Sequence, residues 1–189
     1  MFEEKKSKSA AYDIAISALF VAVIAVCAWI AVPISEISIT LQTMGVCLAA
    51  ALLGWKRGLA AVSAYILLGL VGVPVFSGFT GGAAKLIGPT GGYIVGFLFT
   101  ALLVGIACDL VRGKSKGKFI FVCALSMVAG VAVCYAFGTA WFMFMMSGKG
   151  NPYTLSAALA MCVLPYIPFD LLKIAVATAL SVALKRFIK

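Results

Sequence analysis

The sequence predicts an all-α integral membrane protein, a single bundle of six transmembrane helices, and three observations carry that expectation. Apolar residues make up 64% of the chain and charged residues only 11%, far from the usual balance of roughly half and a quarter. The apolar residues fall into uninterrupted runs, several long enough to cross a bilayer at about 20 residues each. Lysines and arginines cap those runs instead of forming one basic stripe. With 189 residues there is room for one membrane domain over the whole chain, 1–189, and none for a soluble domain.

Residues 14–32 carry no charge and form the first span. Residues 1–12 form a tail that does not resemble a cleaved signal peptide, because the apolar run after it is too long for an h-region. Ala18 and Ala22 lie four apart in this span, a small-residue stripe on which another helix can pack closely. Pro33 ends the helix and 33–38 makes a turn. The second span, 39–55, has Gln42 and Thr43 near its start, and Lys56, Arg57 and Gly58 close it. The third, 58–73, is just under the usual length.

Pro74 leads into a segment unlike the rest, VFSGFTGGAAKLIGPTGGY over 75–93. Its glycines take backbone angles closed to other residues and permit close approach of a ligand. Such a backbone cannot face lipid, so at membrane depth it packs in protein or lines a cavity. The fourth span, 90–108, carries Gly92 and Gly96 after Gly88, a spacing that predicts tight packing at its first turns. Basic residues mark the next junction. The run 119–146 is long enough to require tilt, a bend or an extension beyond the bilayer. A turn at 147–152 and a short surface helix over 153–164 follow. The last span starts near Pro168, since proline suits a first helical turn, and runs to 187; a helix kinked from Ser156 is the alternative.

The positive-inside rule orients the bundle with both termini in the cytoplasm. That puts Lys5, Lys6, Lys8, Lys56, Arg57, Arg112, Lys114, Lys116, Lys118, Lys185, Arg186 and Lys189 inside. Of the fifteen basic residues, only Lys85 and Lys149 fall in outer loops and Lys173 within a span. The glycine-rich segment, 74–89, is then extracellular.

Asp170 and Lys173 share a helix face within the last span. A charge in the hydrocarbon layer costs roughly 3 kcal/mol on insertion scales, so such residues face the bundle interior and mark a site or a structural ion pair. Gln42, Thr43, Thr90 and Tyr93 fall at outer helix ends by this topology and converge with the pair under the glycine loop. The chain has no histidine. Its six cysteines stand singly, which argues against a zinc site or a disulfide framework and for buried cysteines as small hydrophobes. Gly113-Lys114-Ser115 is not a phosphate loop, because Cys108 stands where that motif needs glycine. The charge of +9 is spread over span ends and does not point to nucleic acid. No metal or cofactor is expected. A glycine-lined apolar pocket with a few orienting polar groups remains.

Three stretches, ITLQT (39–43), GFTGGAAKLIGPTGGY (78–93) and LPYIPFDLLK (164–173), together resemble the BioY family. These are the biotin-specific substrate-binding (S) components of energy-coupling factor (ECF) transporters. The likeness covers nearly the whole chain. It implies a high-affinity biotin binder in a bacterial plasma membrane, not an enzyme, with an outward-facing pocket. It also implies a transmembrane coupling protein and two cytoplasmic ATPases as partners, ATP being used only by them. Ala18 and Ala22 resemble the family's AxxxA docking motif for the coupling protein.

Biotin's ureido group has one strong acceptor and two N–H donors. Asp170 can accept from an N–H, while Lys173 donates to the carbonyl or holds Asp170. Phe79 and Tyr93 are expected against the ring sulfur and alkyl tail. Glycine N–H groups of the loop (Gly81, Gly82, Gly91) or Lys85 are expected at the carboxylate. Phe79 and Thr80 depart from the smaller or amide residues expected of relatives at this part of the loop. Two readings compete on function: an S component for another vitamin, and a stand-alone channel or facilitator. The channel requires a polar stripe that the inner helix halves lack. A lipid-modifying enzyme using Asp170, Lys173 and Tyr93 as an acid/base set has no accompanying catalytic constellation.

Overall fold

The computed structural model describes residues 10–33 and 37–187. Lys5, Lys6, Lys8 and Lys189, and most of the tail 1–12, lie outside the described residues. The described elements are α1 (Ala10–Trp29), β1 (Ala31–Val32), β2 (Ile39–Thr40), α2 (Gln42–Leu70), α3 (Ala83–Ile87), α4 (Gly91–Leu110), α5 (Lys116–Gly148), α6 (Leu155–Cys162) and α7 (Ile167–Leu184). Five of them, α1, α2, α4, α5 and α7, are long and apolar enough to cross a membrane. The all-α expectation therefore holds, apart from one short ribbon.

That ribbon corrects the end of the first span. α1 stops at Trp29, and the chain pairs antiparallel, Ala31 with Thr40 and Val32 with Ile39. The pairing gives backbone groups near Pro33 partners that a helix extended to residue 32 would have left at its frayed end. The Leu41 N–H donates to the carbonyls of Cys27 (3.1 Å) and Ile30 (3.3 Å), tying the returning chain to the helix end.

The expected second and third spans occur within one hydrogen-bonded run, α2, that reverses at Gly54. Gly54 has φ 80° and ψ 177°, outside the helical region. In a straight helix Gln42 and Tyr65 would be about 35 Å apart. Instead the Gln42 Nε2 donates to the Tyr65 hydroxyl at 2.7 Å. Segments 42–53 and 55–70 are thus antiparallel neighbours, with Gly58 close against the Ala50 backbone. Asp109 of α4 and Arg112, just past the end of that helix, clamp the reversal. Asp109 accepts from the Trp55 N–H at 3.0 Å, capping the start of the second segment. Arg112 donates to the Leu52 carbonyl at 3.1 Å and the Ala51 carbonyl at 3.4 Å, capping the end of the first. The two also pair with each other at 3.1 Å.

α4 packs mainly on α2 and α5. Gly92 receives Trp141 and Gly96 receives Cys134, both of α5, so those glycines make the close contact their spacing predicts. Gly88 lies before the helix, and its carbonyl accepts from the Trp141 indole at 3.1 Å. α5 spans about 50 Å at 1.5 Å per residue and outruns the ~30 Å hydrocarbon layer. α6 ends at Cys162 and α7 starts at Ile167, so the break falls before Pro168 and the single kinked helix from Ser156 is excluded.

The cysteine expectation needs one correction. Cys108 and Cys123 are paired as a disulfide, with Cα atoms 5.5 Å apart. The short connection between antiparallel α4 and α5 brings these two interior positions together. Cys27, Cys47, Cys134 and Cys162 are free and buried, as expected of small hydrophobes.

The glycine-rich segment is anchored to the bundle. Phe76 is fully buried, edge-on to Tyr65 with ring centroids 5.5 Å apart, in space left by Gly69. The Gly82 N–H donates to the Gly69 carbonyl at 2.7 Å. A side chain at Gly81 would collide with the carbonyls of Gly72 and Val73.

Candidate ligand-binding site

The charged pair of α7 lies at one end of the bundle, beneath the glycine-rich segment. Tyr166 precedes the helix, Pro168 occupies its first turn, and Asp170 with Lys173 faces inward. Both are buried, 5% and 7% exposed. They form an ion pair of 2.7 Å between the Lys173 Nζ and the Asp170 Oδ1. The same oxygen accepts from the Thr43 hydroxyl at 2.9 Å. The Tyr135 hydroxyl donates to Oδ2. A carboxylate offers about four acceptor positions. Three are taken, which leaves one on Oδ2. The Lys173 ammonium has three N–H groups and makes no other hydrogen bond among the described residues.

These groups border a cavity with about 690 Å³ of atom-free space, part of it open to solvent. Of the residues expected at a site, Gln42, Thr43, Lys85, Thr90, Tyr93, Asp170 and Lys173 line it. Tyr65 orients Gln42. The Tyr65 O–H donates to the Val75 carbonyl at 3.0 Å, so its oxygen must accept from the amide nitrogen of Gln42. The Gln42 carbonyl oxygen is then the end without a partner among the described residues. Tyr93 is braced from α5, with its ring over Gly138 and its hydroxyl 3.0 Å from that of Thr139. Lys85 reaches the cavity from the short helix α3.

Five other expected residues do not line the cavity. Phe79 is 65% exposed and stacks on Trp29, centroids 5.0 Å apart. Thr80 accepts from the Phe76 N–H through its carbonyl and donates its hydroxyl to Ser77. Gly81 and Gly82 form the seam against the end of α2. Gly91 makes the corner between α3 and α4, where a Cβ would strike the Leu86 carbonyl.

Tyr135 and Tyr166 are among the cavity residues that the sequence reading missed, with Ser38, Thr40 and Ser77. Tyr135 carried a usable signal. It lies in a long apolar run, four residues before Thr139, so the two polar groups share a face, and a buried tyrosine hydroxyl needs a partner. Tyr166 donates to the Ile37 carbonyl, a contact between segments far apart in sequence that no local pattern announces. No group of three or more potential metal ligands occurs among the described residues.

Ala18 and Ala22 are far from this cavity. Both are exposed and line an apolar groove between α1 and the second segment of α2.

Comparison with known proteins agrees with this architecture. The chain is 38% identical over 168 residues to the biotin transporter BioY of Thermotoga maritima, covering 89% of this chain and 92% of that relative. It is 33% identical over 175 residues to biotin transporter BioY2 of Lactococcus lactis subsp. cremoris, covering 93% and 91%. A crystal structure described as the S-component for biotin from an ECF-type ABC transporter superposes with a TM-score of 0.79 at 29% identity, over 98% of this chain and 95% of that one. The pattern characteristic of the BioY family extends over residues 3–189. The chain belongs to the BioY family.

Proposed function

We propose that this chain binds biotin in the Asp170 cavity and is the substrate-specific S component of an ECF transporter, a transport protein and not an enzyme. The observation that carries the reading is the match between free polar groups and the ureido ring. Lys173 has N–H groups for the ureido oxygen. The open position on the Asp170 Oδ2 and the free oxygen of Gln42 accept from its two N–H groups. Charge-assisted hydrogen bonds of this kind contribute roughly 1.5–3 kcal/mol each. Tyr93 and Phe97 offer rings to the bicyclic body. Lys85, at the roof, is the cation for the tail carboxylate, and no cofactor takes part.

The basic residues support six membrane crossings with both termini cytoplasmic, the two antiparallel segments of α2 counting separately. Segment 74–89 is then extracellular and the cavity opens outward, in a bacterial plasma membrane. Ala18 and Ala22 form the docking stripe for the transmembrane coupling protein, and two cytoplasmic ATPases supply the energy. An S component for another vitamin would lack the ureido complement. A stand-alone channel would need an open polar path through the bundle, whereas the buried hydroxyls beneath the cavity are bonded internally: Thr100 to Gly130, Ser126 to Cys123, Thr178 to Met127 and Ser181 to Ala177.

Calorimetric titration of the purified chain tests this. Biotin is expected to bind with a dissociation constant below about 1 μM, equivalent to about −8 kcal/mol. Biotin amide, without the carboxylate, is expected to bind roughly tenfold more weakly, and a second vitamin not at all. No heat with biotin from folded protein would refute the reading. Tyr135→Phe removes one donor from Asp170 and is expected to cost about 1 kcal/mol, roughly fivefold in affinity. Desthiobiotin, which keeps the ureido ring, is expected to lose as much; an unchanged affinity for both ligands would detach Tyr135 from the site.

A further inference from the structure

The end of the bundle away from the Asp170 cavity carries a second concave surface. It lies between the start of α5 and the end of α7, and it holds about 1050 Å³ of atom-free space open to the outside. Lys114, Lys116, Lys185 and Arg186 line it, with Phe119 and Val182 among its apolar residues and no carboxylate. The described carboxylates are engaged elsewhere: Asp13 with Arg57 at 3.0 Å, Asp109 with Arg112 at 3.1 Å, Asp170 with Lys173 at 2.7 Å. The four cations therefore have no acidic partner among the described residues.

Lys185 is held in place without a counter-charge. Its ammonium donates to the Arg112 carbonyl at 2.5 Å and sits 3.7 Å from the Phe119 ring centroid. Burial, and then the nearby Arg112 charge, hold its pKa below the usual lysine value. An anion would relieve both effects. Lys114, Lys116 and Arg186 are exposed around it.

We infer that this basic concavity binds the phosphate of an anionic diacyl phospholipid, with the acyl chains lying along the outer faces of α5 and α7. The apolar surroundings select lipid over a free anion. Beside the lining residues Phe119 and Ala179 the apolar surface continues into Ile120 of α5 and Val176 and Leu180 of α7, all exposed. These helices are long and apolar enough to cross a membrane, so that continuation meets hydrocarbon. Basic pockets at helix ends recognise anionic headgroups in this manner, and each cation near such a surface is worth roughly fivefold in affinity.

Native mass spectrometry of the full chain in detergent, titrated with dioleoyl phosphatidylglycerol or dioleoyl phosphatidylcholine, tests the inference. The phosphatidylglycerol adduct is expected at a concentration about tenfold lower than the phosphatidylcholine adduct. The triple variant Lys114→Gln, Lys116→Gln, Arg186→Gln is expected to reduce that preference below about threefold. Lys149→Gln, at the other end of the bundle, is expected to leave it intact. Equal retention of the two lipids by the unaltered chain would overturn the assignment, as would a preference that survives the triple variant. Displacement of phosphatidylglycerol by millimolar inorganic phosphate would identify a free-anion site and overturn it too. Should the triple variant lose its thermal transition, Lys114→Gln and Arg186→Gln decide singly: each is expected to lower the preference about fivefold, and no change in either refutes the site.

Discussion

Asp170→Asn is expected to weaken biotin binding by at least about 2 kcal/mol, roughly thirtyfold. The substitution keeps the shape and removes the charge. Asp170 receives the Thr43 hydroxyl, the Tyr135 hydroxyl and the Lys173 ammonium, three donors converging on one acid. An asparagine presents an NH₂ to at least one of them, and the charge-assisted bond to a ureido N–H becomes a neutral one. Lys173, only 7% exposed, loses its counter-ion at the same time. Removing one member of a buried pair leaves the other charge uncompensated, typically at a cost of about 3–5 kcal/mol. The thermal transition is therefore expected to fall together with the affinity. Titration of biotin into the variant, alongside a melting curve in the same detergent, measures both. Unchanged affinity in a folded variant would remove Asp170 from the ligand contacts.

Gly54→Ala is expected to destabilise the fold by about 3 kcal/mol or more, through two separate causes. The backbone at Gly54, φ 80° and ψ 177°, lies in a region essentially confined to glycine, where another residue costs roughly 1–3 kcal/mol. A Cβ there would also meet the Asp109 carboxylate and push it from the Trp55 N–H that it caps. Losing a helix cap costs about 1 kcal/mol. For a chain of this size, 3 kcal/mol corresponds to a fall in Tm of roughly 6–12 °C, measurable by thermal unfolding in detergent. Asp109→Ala, which removes only the cap and its pairing with Arg112, is expected to show a smaller fall. A Gly54→Ala variant that melts with the unaltered chain would mean that the reversal does not depend on this glycine.

Gly54 illustrates where the reading of the sequence stopped. A boundary between two spans was legible at Lys56, Arg57 and Gly58, because charges end apolar runs. The turning residue and its two clamps were not, because Asp109 and Arg112 are remote in sequence and read only as another basic junction. The roof of the cavity is similar. Phe79, Thr80, Gly81, Gly82 and Gly91 stand in the segment that forms it, but the structure uses Phe79 on Trp29 and the glycines for close backbone packing. Lys85, Thr90 and Tyr93, from the same stretch, line the cavity.

The amino-acid sequence by itself determined the all-α membrane class, the approximate spans, and the Asp170–Lys173 pair as the unusual chemistry in them. Hydropathy and the cost of a buried charge are properties of a residue and its near neighbours, so they survive without coordinates. Only the tertiary structure decided that α2 folds back at Gly54, that Cys108 meets Cys123, and how Thr43, expected near the pair, joins the unforeseen Tyr135 in the shell of Asp170. Those are meetings between segments up to 127 positions apart, as for Thr43 and Asp170. They depend on which helix faces are packed together, and hydrophobic periodicity is nearly uninformative about facing when most sides of a helix are apolar.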